Sequence, residues 1–322
     1  MTLEKRRIGK TDIEVTTLGF GGAPIGGADV SPEEMTEIIQ RAREGGICYF
    51  DTAPLYGKGV SEKRIGEELA QVPRSEYVLS TKVGRLVALE EGSPHALTIQ
   101  YDYSYEGARR SLEASFERLG LDRVDIVYCH DIDIWTHGDG QPEIFETAVK
   151  GILPALQDLR NEGVIRAFGL GVNEAPVCSQ IMDLFDVDCF LLAGRFTLLE
   201  QDPLDHLLPK CLEHHVSIII GGPYNSGLLA TAQREQATYD YKPVGDALWE
   251  KAQKIRQICE IHGVDVRTAA LQYPLLHPAV ASVIPGSISL TQLEENLELF
   301  HRPIPPALWS DLDAAGLARG IA

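Results

Sequence analysis

Eight short apolar runs, each followed by a segment that can form a helix, constrain this chain more than any other feature. They read VTTLGFGG (15–22), ICYFDT (47–52), YVLSTKVG (77–84), DIVYCHD (125–131), IRAFGLGV (165–172), CFLLAGRF (189–196), VSIIIGGP (216–223) and ASVIPGS (281–287). Strands that are apolar on both faces and alternate with helices indicate parallel β structure covered on both sides. Eight such units fit a closed (β/α)8 TIM barrel, an α/β fold, better than an open doubly wound sheet. The helix signals support this. In SPEEMTEIIQRARE (31–44) Ser31 can cap, Pro32 suits the first helical position and Gly45 can end the helix. In YEGARRSLEASFERLG (105–120) Leu112, Phe116 and Leu119 share one face before Gly120, and PEIFETAVKGILPALQDLRNEG (142–163) reads as one long helix.

No Ser/Gly/Pro-rich tract, charge block or internal repeat interrupts the pattern, so residues 1–322 read as a single barrel domain. KRRIGKTDIEVTTL at the start reads as a polar N-terminal hairpin across one mouth of the barrel, and PPALWSDLDAAGLA (305–318) as an extra C-terminal helix.

Composition narrows the function classes. A hydrophobic fraction of 44% over 322 residues is ample for a sizeable core. Lys plus Arg 29 against Asp plus Glu 47 leaves a net charge of −18, which repels nucleic acid and anionic membranes. The cysteines at 48, 129, 178, 189, 211 and 259 include no CxxC pair, so neither a zinc site nor a disulfide framework is indicated, and no metal is expected. Cys48, Cys129 and Cys189 lie in apolar runs and read as small buried hydrophobes. The basic start MTLEKRRIGKTD is followed by no apolar stretch, and a cytoplasmic protein is the expectation.

Active sites of such barrels form at the C-terminal ends of the strands, so the polar residues that finish apolar runs are the ones to collect. In FDTAPLYGKG (50–59) the second run ends in Asp51, with Tyr56 just beyond in a Gly- and Pro-punctuated loop. A buried carboxylate needs a cation. Lys82 ends the third run and His130 the fourth, and adjacent strands lie ~4.8 Å apart, so the four residues can converge. A tyrosine with a pKa of about 10 is a poor base or acid near neutrality. A neighbouring ammonium oriented by a carboxylate favours the phenolate, and a histidine can hydrogen-bond the substrate oxygen. Such a relay moves a proton on or off a carbonyl or carbinol oxygen; a hydride carrier must complete the redox half.

FDTAPLYGKGVSEKRIGEEL, LSTKVG, RLGLDRVDIVYCHD and GVIRAFGLGV resemble the aldo-keto reductase family, in order and spacing, from about residue 6 to 300. The resemblance implies a (β/α)8 barrel that binds a nicotinamide dinucleotide without a GxGxxG fingerprint, which this chain also lacks. It implies Tyr56 as general acid or base, Asp51 and Lys82 in support, and His130 orienting the reacting oxygen. GFGGAPIGG, YDYSYEGARRSLEASFERLGLDRVDIVYCHDID and LLAGRFTLLEQ are most similar to the branch of NAD-dependent aldose 1-dehydrogenases, which act on L-fucose, D-threo-aldoses or L-galactose and include a pyridoxal 4-dehydrogenase.

Departures from the family pattern bear on the cofactor. Where the family has PKSxxxxRIxEN after the eighth strand, this chain has PGSISLTQLEEN: Gly286 replaces the lysine and Gln292 the arginine that face the 2′-phosphate of NADP. The resemblance therefore implies NAD, with Ser287, Glu295 and Asn296 at its adenosine half. Asn173 remains after the fifth strand, Ala193 stands where a glutamine is usual, and Gly221 replaces the tyrosine under the nicotinamide, a role left without a residue. Gly222, Ser226, Gly227 and Leu229 resemble the pyrophosphate-facing turn, and Gly22 of GFGGAPIGG is placed on the cofactor side.

Three long loops, after Lys82, after His130 and at ATAQREQATYDYKPVGD (230–246), are expected to shape the mouth, the last closing over the dinucleotide. Trp135 is the expected aromatic wall for a sugar. The implied reaction is oxidation of the anomeric carbon of an aldose to a lactone by NAD. The alternatives are oxidation of pyridoxal to 4-pyridoxolactone, aldehyde reduction with NADPH, and a nucleotide-sensing subunit without turnover. The partner is a small molecule; a homo-oligomer is compatible with the sequence but not specified by it.

Overall fold

The structure, a computed structural model, describes residues 2–27, 31–93 and 96–320. Eight strands form one sheet: Phe20–Gly21, Tyr49–Asp51, Val78–Val83, Ile126–His130, Ala167–Val172, Cys189–Ala193, Ser217–Gly221 and Val280–Ile284. Every neighbouring pair is parallel. Parallel bridges from Leu18 to Val283 and from Gly21 to Gly286 join first strand to last and close the barrel. All eight apolar runs therefore became the strands expected of them.

Side chains pointing outward from the strands pack against the surrounding helices. Those pointing inward form a second cluster including Tyr49, Val78, Ile126, Tyr128, Cys189 and Ile219. Ile8, Ile13 and Val15 of the N-terminal hairpin (Lys5–Arg7 paired antiparallel with Glu14–Thr16) belong to that inner cluster and are no more than 1% exposed. The hairpin is thus polar on one side only: it plugs the barrel floor with apolar residues, each contributing roughly 1.5–3 kcal/mol by burial. With that end sealed, a ligand must enter at the strand C-termini.

The first helix, Pro32–Glu44, carries a full capping box, Glu34 N to Ser31 Oγ and Ser31 N to Glu34 Oε2 both at 3.2 Å, and stops at Gly45. Tyr105–Leu119 ends at Gly120 in the left-handed conformation. The segment read as one helix over 142–163 is two, Gln141–Lys150 and Ile152–Asn161. Gly151 breaks it with a non-helical backbone, φ −120° and ψ −84°; a β-carbon there would meet the Tyr103 carbonyl oxygen at 2.6 Å, and the same oxygen accepts from Ile152 N at 2.9 Å. The extra C-terminal helix spans Pro306–Ala314.

The loop after Lys82 is a hairpin, Arg85–Leu89 against Leu97–Tyr101; Pro94 and His95 lie outside the described residues. The loop after His130 holds the short helix Ile134–His137. All six cysteines are free and buried. Among the described residues, no helix is long and apolar enough to cross a membrane.

Candidate active site

Asp51 and His130 end the second and fourth strands and Lys82 stands one residue before the end of the third, all on one rim, and all three are no more than 5% exposed. Lys82 Nζ donates to Asp51 Oδ2 at 2.7 Å and to the Thr52 carbonyl oxygen at 2.8 Å. Ser80 Oγ donates to the other carboxylate oxygen, Oδ1, at 2.7 Å. That hydroxyl continues into the barrel interior, where Tyr49 Oη lies 3.0 Å from Ser80 Oγ and 3.2 Å from Tyr128 Oη. Both oxygens of Asp51 are therefore satisfied, as a buried charge requires. Burial pushes its carboxyl above the ordinary range, with Lys82 and Ser80 opposing.

Tyr56 lies over this pair. Its ring centroid is 4.7 Å from Lys82 Nζ, and it meets the His130 ring edge-on, centroids 6.2 Å apart at 89°. The four residues named from the strand ends are thus brought together. Their electrostatics differ from expectation in one respect. Burial, followed by the charges of Asp51 and Asp131, pushes the Tyr56 hydroxyl well above the ordinary phenol value, so it is protonated near neutrality. Lys82 stands against the ring face, and two of its three N–H donors are committed to Asp51 and Thr52.

His130 is held well below the ordinary imidazole value by burial, then by the charges of Lys82 and Arg85. It is neutral near pH 7. Its Nδ1 is buried without a hydrogen-bond partner, so the ring retains a hydrogen-bonding position for a ligand.

Sequence reasoning missed the second ionic group at this mouth. Asp131, with a left-handed φ of 50°, pairs with Arg85 and accepts from Asn173 Nδ2 at 3.1 Å, while its Oδ2 lies 3.4 Å from His130 Nε2. Burial raises its pKa to about 6. Tyr103 Oη donates to the carbonyl oxygens of His130 and Asp131 at 2.9 and 2.7 Å, fixing the corner that carries them. The signal was present: Asp131 directly follows His130 at a strand end, and Arg85 begins the next element after Lys82.

The residues placed on the cofactor side divide into three groups. Gly22 donates to the Asp51 carbonyl oxygen at 2.8 Å, and a β-carbon on it would meet that oxygen at 2.5 Å, so it packs against the strand that carries Asp51. Asn173 turns its side chain to Asp131 and its backbone N–H to Asp133 Oδ2 at 2.6 Å.

The turn after the seventh strand holds Gly222, Asn225, Ser226 and Gly227 at φ 58°, 50°, 55° and 89°. No atom lies within 4 Å of the position a β-carbon on Gly227 would take, and Asn225 Oδ1 is buried without a partner. The Leu229 side chain enters the core, leaving the turn only its backbone.

Beyond the eighth strand, Asn296 Nδ2 donates to Ser287 Oγ at 3.2 Å and Tyr224 Oη to Asn296 Oδ1 at 2.6 Å. Gln292 Oε1 accepts from Ile288 N at 3.0 Å, and Glu295 pairs with Arg267 at 2.9 Å. Gly286 stands at the seam between first and last strands.

Trp135 is 45% exposed in the short helix of the mouth, its backbone N–H donating to Glu174 Oε2 at 2.9 Å. The loop 230–246 carries a hairpin, Thr238–Tyr239 against Lys242–Pro243. Arg195 binds Asp240 bidentately at 3.0 and 2.9 Å and Tyr239 Oη donates to Glu200 at 2.7 Å, tying it to the loop after the sixth strand.

An aldo/keto reductase family sequence model matches residues 17–316, and the chain belongs to that family of oxidoreductases, which use a nicotinamide cofactor. It is 36% identical to pyridoxal 4-dehydrogenase of Microbacterium luteolum, over 98% of each chain. It is likewise 36% identical to D-threo-aldose 1-dehydrogenase of a Pseudomonas species, over 95% of each. L-galactose dehydrogenase of Arabidopsis thaliana is 33% identical over 92% of this chain and 87% of its own. Among solved structures, the holo form of an aldo-keto reductase from Bacillus halodurans superposes with a TM-score of 0.78 at 26% identity, covering 99% of this chain and 98% of that one.

Proposed function

We propose that the chain is an NAD-dependent dehydrogenase that oxidises the anomeric carbon of an aldopyranose to a lactone. The observation that carries this reading is the buried Lys82–Asp51 pair beneath Tyr56, beside a neutral His130 with an unfilled Nδ1. The orphaned Asn225 Oδ1 and the open turn at Gly227 fit a dinucleotide crossing the same rim. When bound, the nicotinamide supplies the hydride acceptor and, oxidised, a positive charge that opposes the effect of burial on the Tyr56 phenol.

Within that frame Tyr56 takes the C1 hydroxyl proton. Lys82, immobilised by Asp51 and Thr52, contributes a fixed positive charge at the ring face, and that charge stabilises the phenolate. His130, uncharged, orients the reacting oxygen without competing for the proton. The carboxylates of Asp51, Asp131 and Asp133 outnumber the cations Lys82 and Arg85 at this rim, which suits a neutral polyhydroxylated substrate and disfavours a sugar phosphate. Trp135 offers an aromatic face at the edge of the mouth.

The choice of NAD is supported by Gly286 and Gln292, neither of which brings a cation to the adenosine end, and by Arg267, which shares its charge with Asp265 and Glu295. Oxidation of pyridoxal is the second reading, favoured by the 36% identity to a pyridoxal 4-dehydrogenase. Its hemiacetal offers the same carbinol carbon. A panel of L-fucose, L-galactose, D-arabinose, pyridoxal and a simple aldehyde, each assayed with NAD(H) and NADP(H), tests both. Lactone formation from a sugar with NAD supports the first, 4-pyridoxolactone the second, and turnover confined to the aldehyde with NADPH rejects both.

A further inference from the structure

The first and last barrel strands close onto each other where both edges lack side chains. Gly21 bridges Gly286, and Gly21 N donates to the Pro285 carbonyl oxygen at 3.1 Å. A β-carbon on Gly286 would stand 2.4 Å from Pro24 Cγ and 2.6 Å from Pro24 Cδ, closer than such atoms approach in proteins. The backbone does not demand glycine here, because Gly286 is not among the residues with positive φ. The pyrrolidine ring does.

That ring cannot swing aside as a long side chain would, because it is closed onto its own backbone. The turn it begins, Pro24–Gly26, is held from two sides. Arg64 Nη1 donates to the Ile25 carbonyl oxygen at 2.5 Å, and Gly26 sits so close to the Tyr56–Gly57 peptide that a β-carbon on it would meet the Tyr56 carbonyl carbon at 2.5 Å. Pro24 therefore occupies, from a fixed platform, the space any side chain at position 286 needs.

We propose that Pro24 is a specificity-determining residue for the dinucleotide: by filling the space beside position 286 it bars a cationic side chain from the adenosine end and so selects a cofactor without a 2′-phosphate. The proposal deepens the NAD reading above and rests on it. The neighbouring groups act in the same direction. Gln292 is spent on Ile288 N, and Glu295 presents a carboxylate already engaged with Arg267, leaving a phosphate dianion without a committed counter-charge.

The test uses Pro24→Ala, Gly286→Lys and the double variant, with two readouts: the thermal midpoint of each apo protein, and the affinities for NADH and NADPH from nicotinamide fluorescence. The steric conflict predicts that Gly286→Lys alone lowers the midpoint and gains nothing for NADPH. Adding Pro24→Ala should recover much of the midpoint and tighten NADPH about tenfold relative to Gly286→Lys, the scale of one charge-assisted phosphate contact.

Equal midpoints and equal NADPH affinities for Gly286→Lys and the double variant would overturn the proposal. Coupling in the midpoints with no gain for NADPH would overturn the specificity role. A wild-type protein that itself prefers NADPH would instead overturn the NAD reading, and the coupling between positions 24 and 286, read from apo proteins, would still be measured.

Discussion

Lys82 and Asp51 form a 2.7 Å ion pair with side chains 1% and 3% exposed, directly beneath the ring of Tyr56. Removing one member of such a pair strands the other charge in the barrel. Lys82→Met is expected to destabilise the protein by roughly 3–5 kcal/mol. The double variant Lys82→Met/Asp51→Asn should be less destabilised than Lys82→Met alone, because no uncompensated carboxylate remains. Urea unfolding of the wild type and the two variants measures this; a double variant as unstable as Lys82→Met, or more so, contradicts it.

The raised pKa of Tyr56 fixes the direction of the pH dependence. Oxidation needs the deprotonated phenol, so kcat/KM for the hydroxyl substrate should rise with pH from neutrality into the alkaline range, while carbonyl reduction, which uses the protonated form, should not. His130 is already neutral, so no limb near pH 6.5 is expected from it. Profiles in both directions check the sign, and an oxidation rate that falls above pH 7 contradicts it.

Gly26 and Gly57 meet backbone to backbone under the Tyr56 loop: a β-carbon on Gly57 would lie 2.0 Å from the Gly26 carbonyl oxygen, and Gly57 has φ 64°. Gly57→Ala is therefore expected to displace Tyr56. Turnover should fall by tenfold or more, on the order expected of a ~1 Å misplacement, while NADH binding, measured by fluorescence, changes little. Equal losses in both would place the effect on the whole mouth.

Asp131 gives a stability prediction. Its pKa is raised from the ordinary 3.8 to about 6, so between those values the folded state holds the proton more tightly than the unfolded chain. Its contribution is then favourable at low pH and is lost as pH rises through about 6. Asp131→Asn, which tolerates the left-handed backbone, should flatten the pH dependence of the unfolding free energy over that window. An unchanged slope contradicts the assignment.

The barrel was legible because eight buried parallel strands each leave a continuous apolar run, and the four central residues because each ends or follows such a run. What was not legible depends on backbone approach across the fold. That Gly151 splits a helix, that Pro24 stands against Gly286, and that Leu229 turns into the core all follow from neighbours distant in the sequence or from the path of a loop. The hairpin read as polar has alternating faces, and its three buried apolar residues count only once the barrel floor exists to receive them. Arg85 and Asp131 were missed differently: their signal was adjacency to Lys82 and His130 rather than a periodic pattern, and it gains meaning only when the loop folds back to pair them.

The account stands on Tyr56 as the proton-exchanging group. Steady-state turnover of Tyr56→Phe with NAD and the best substrate of the panel, alongside NADH affinity, tests it most directly. A fall in kcat of roughly 10²- to 10⁴-fold with NADH binding retained is the predicted result; turnover within a few-fold of the wild type would contradict it.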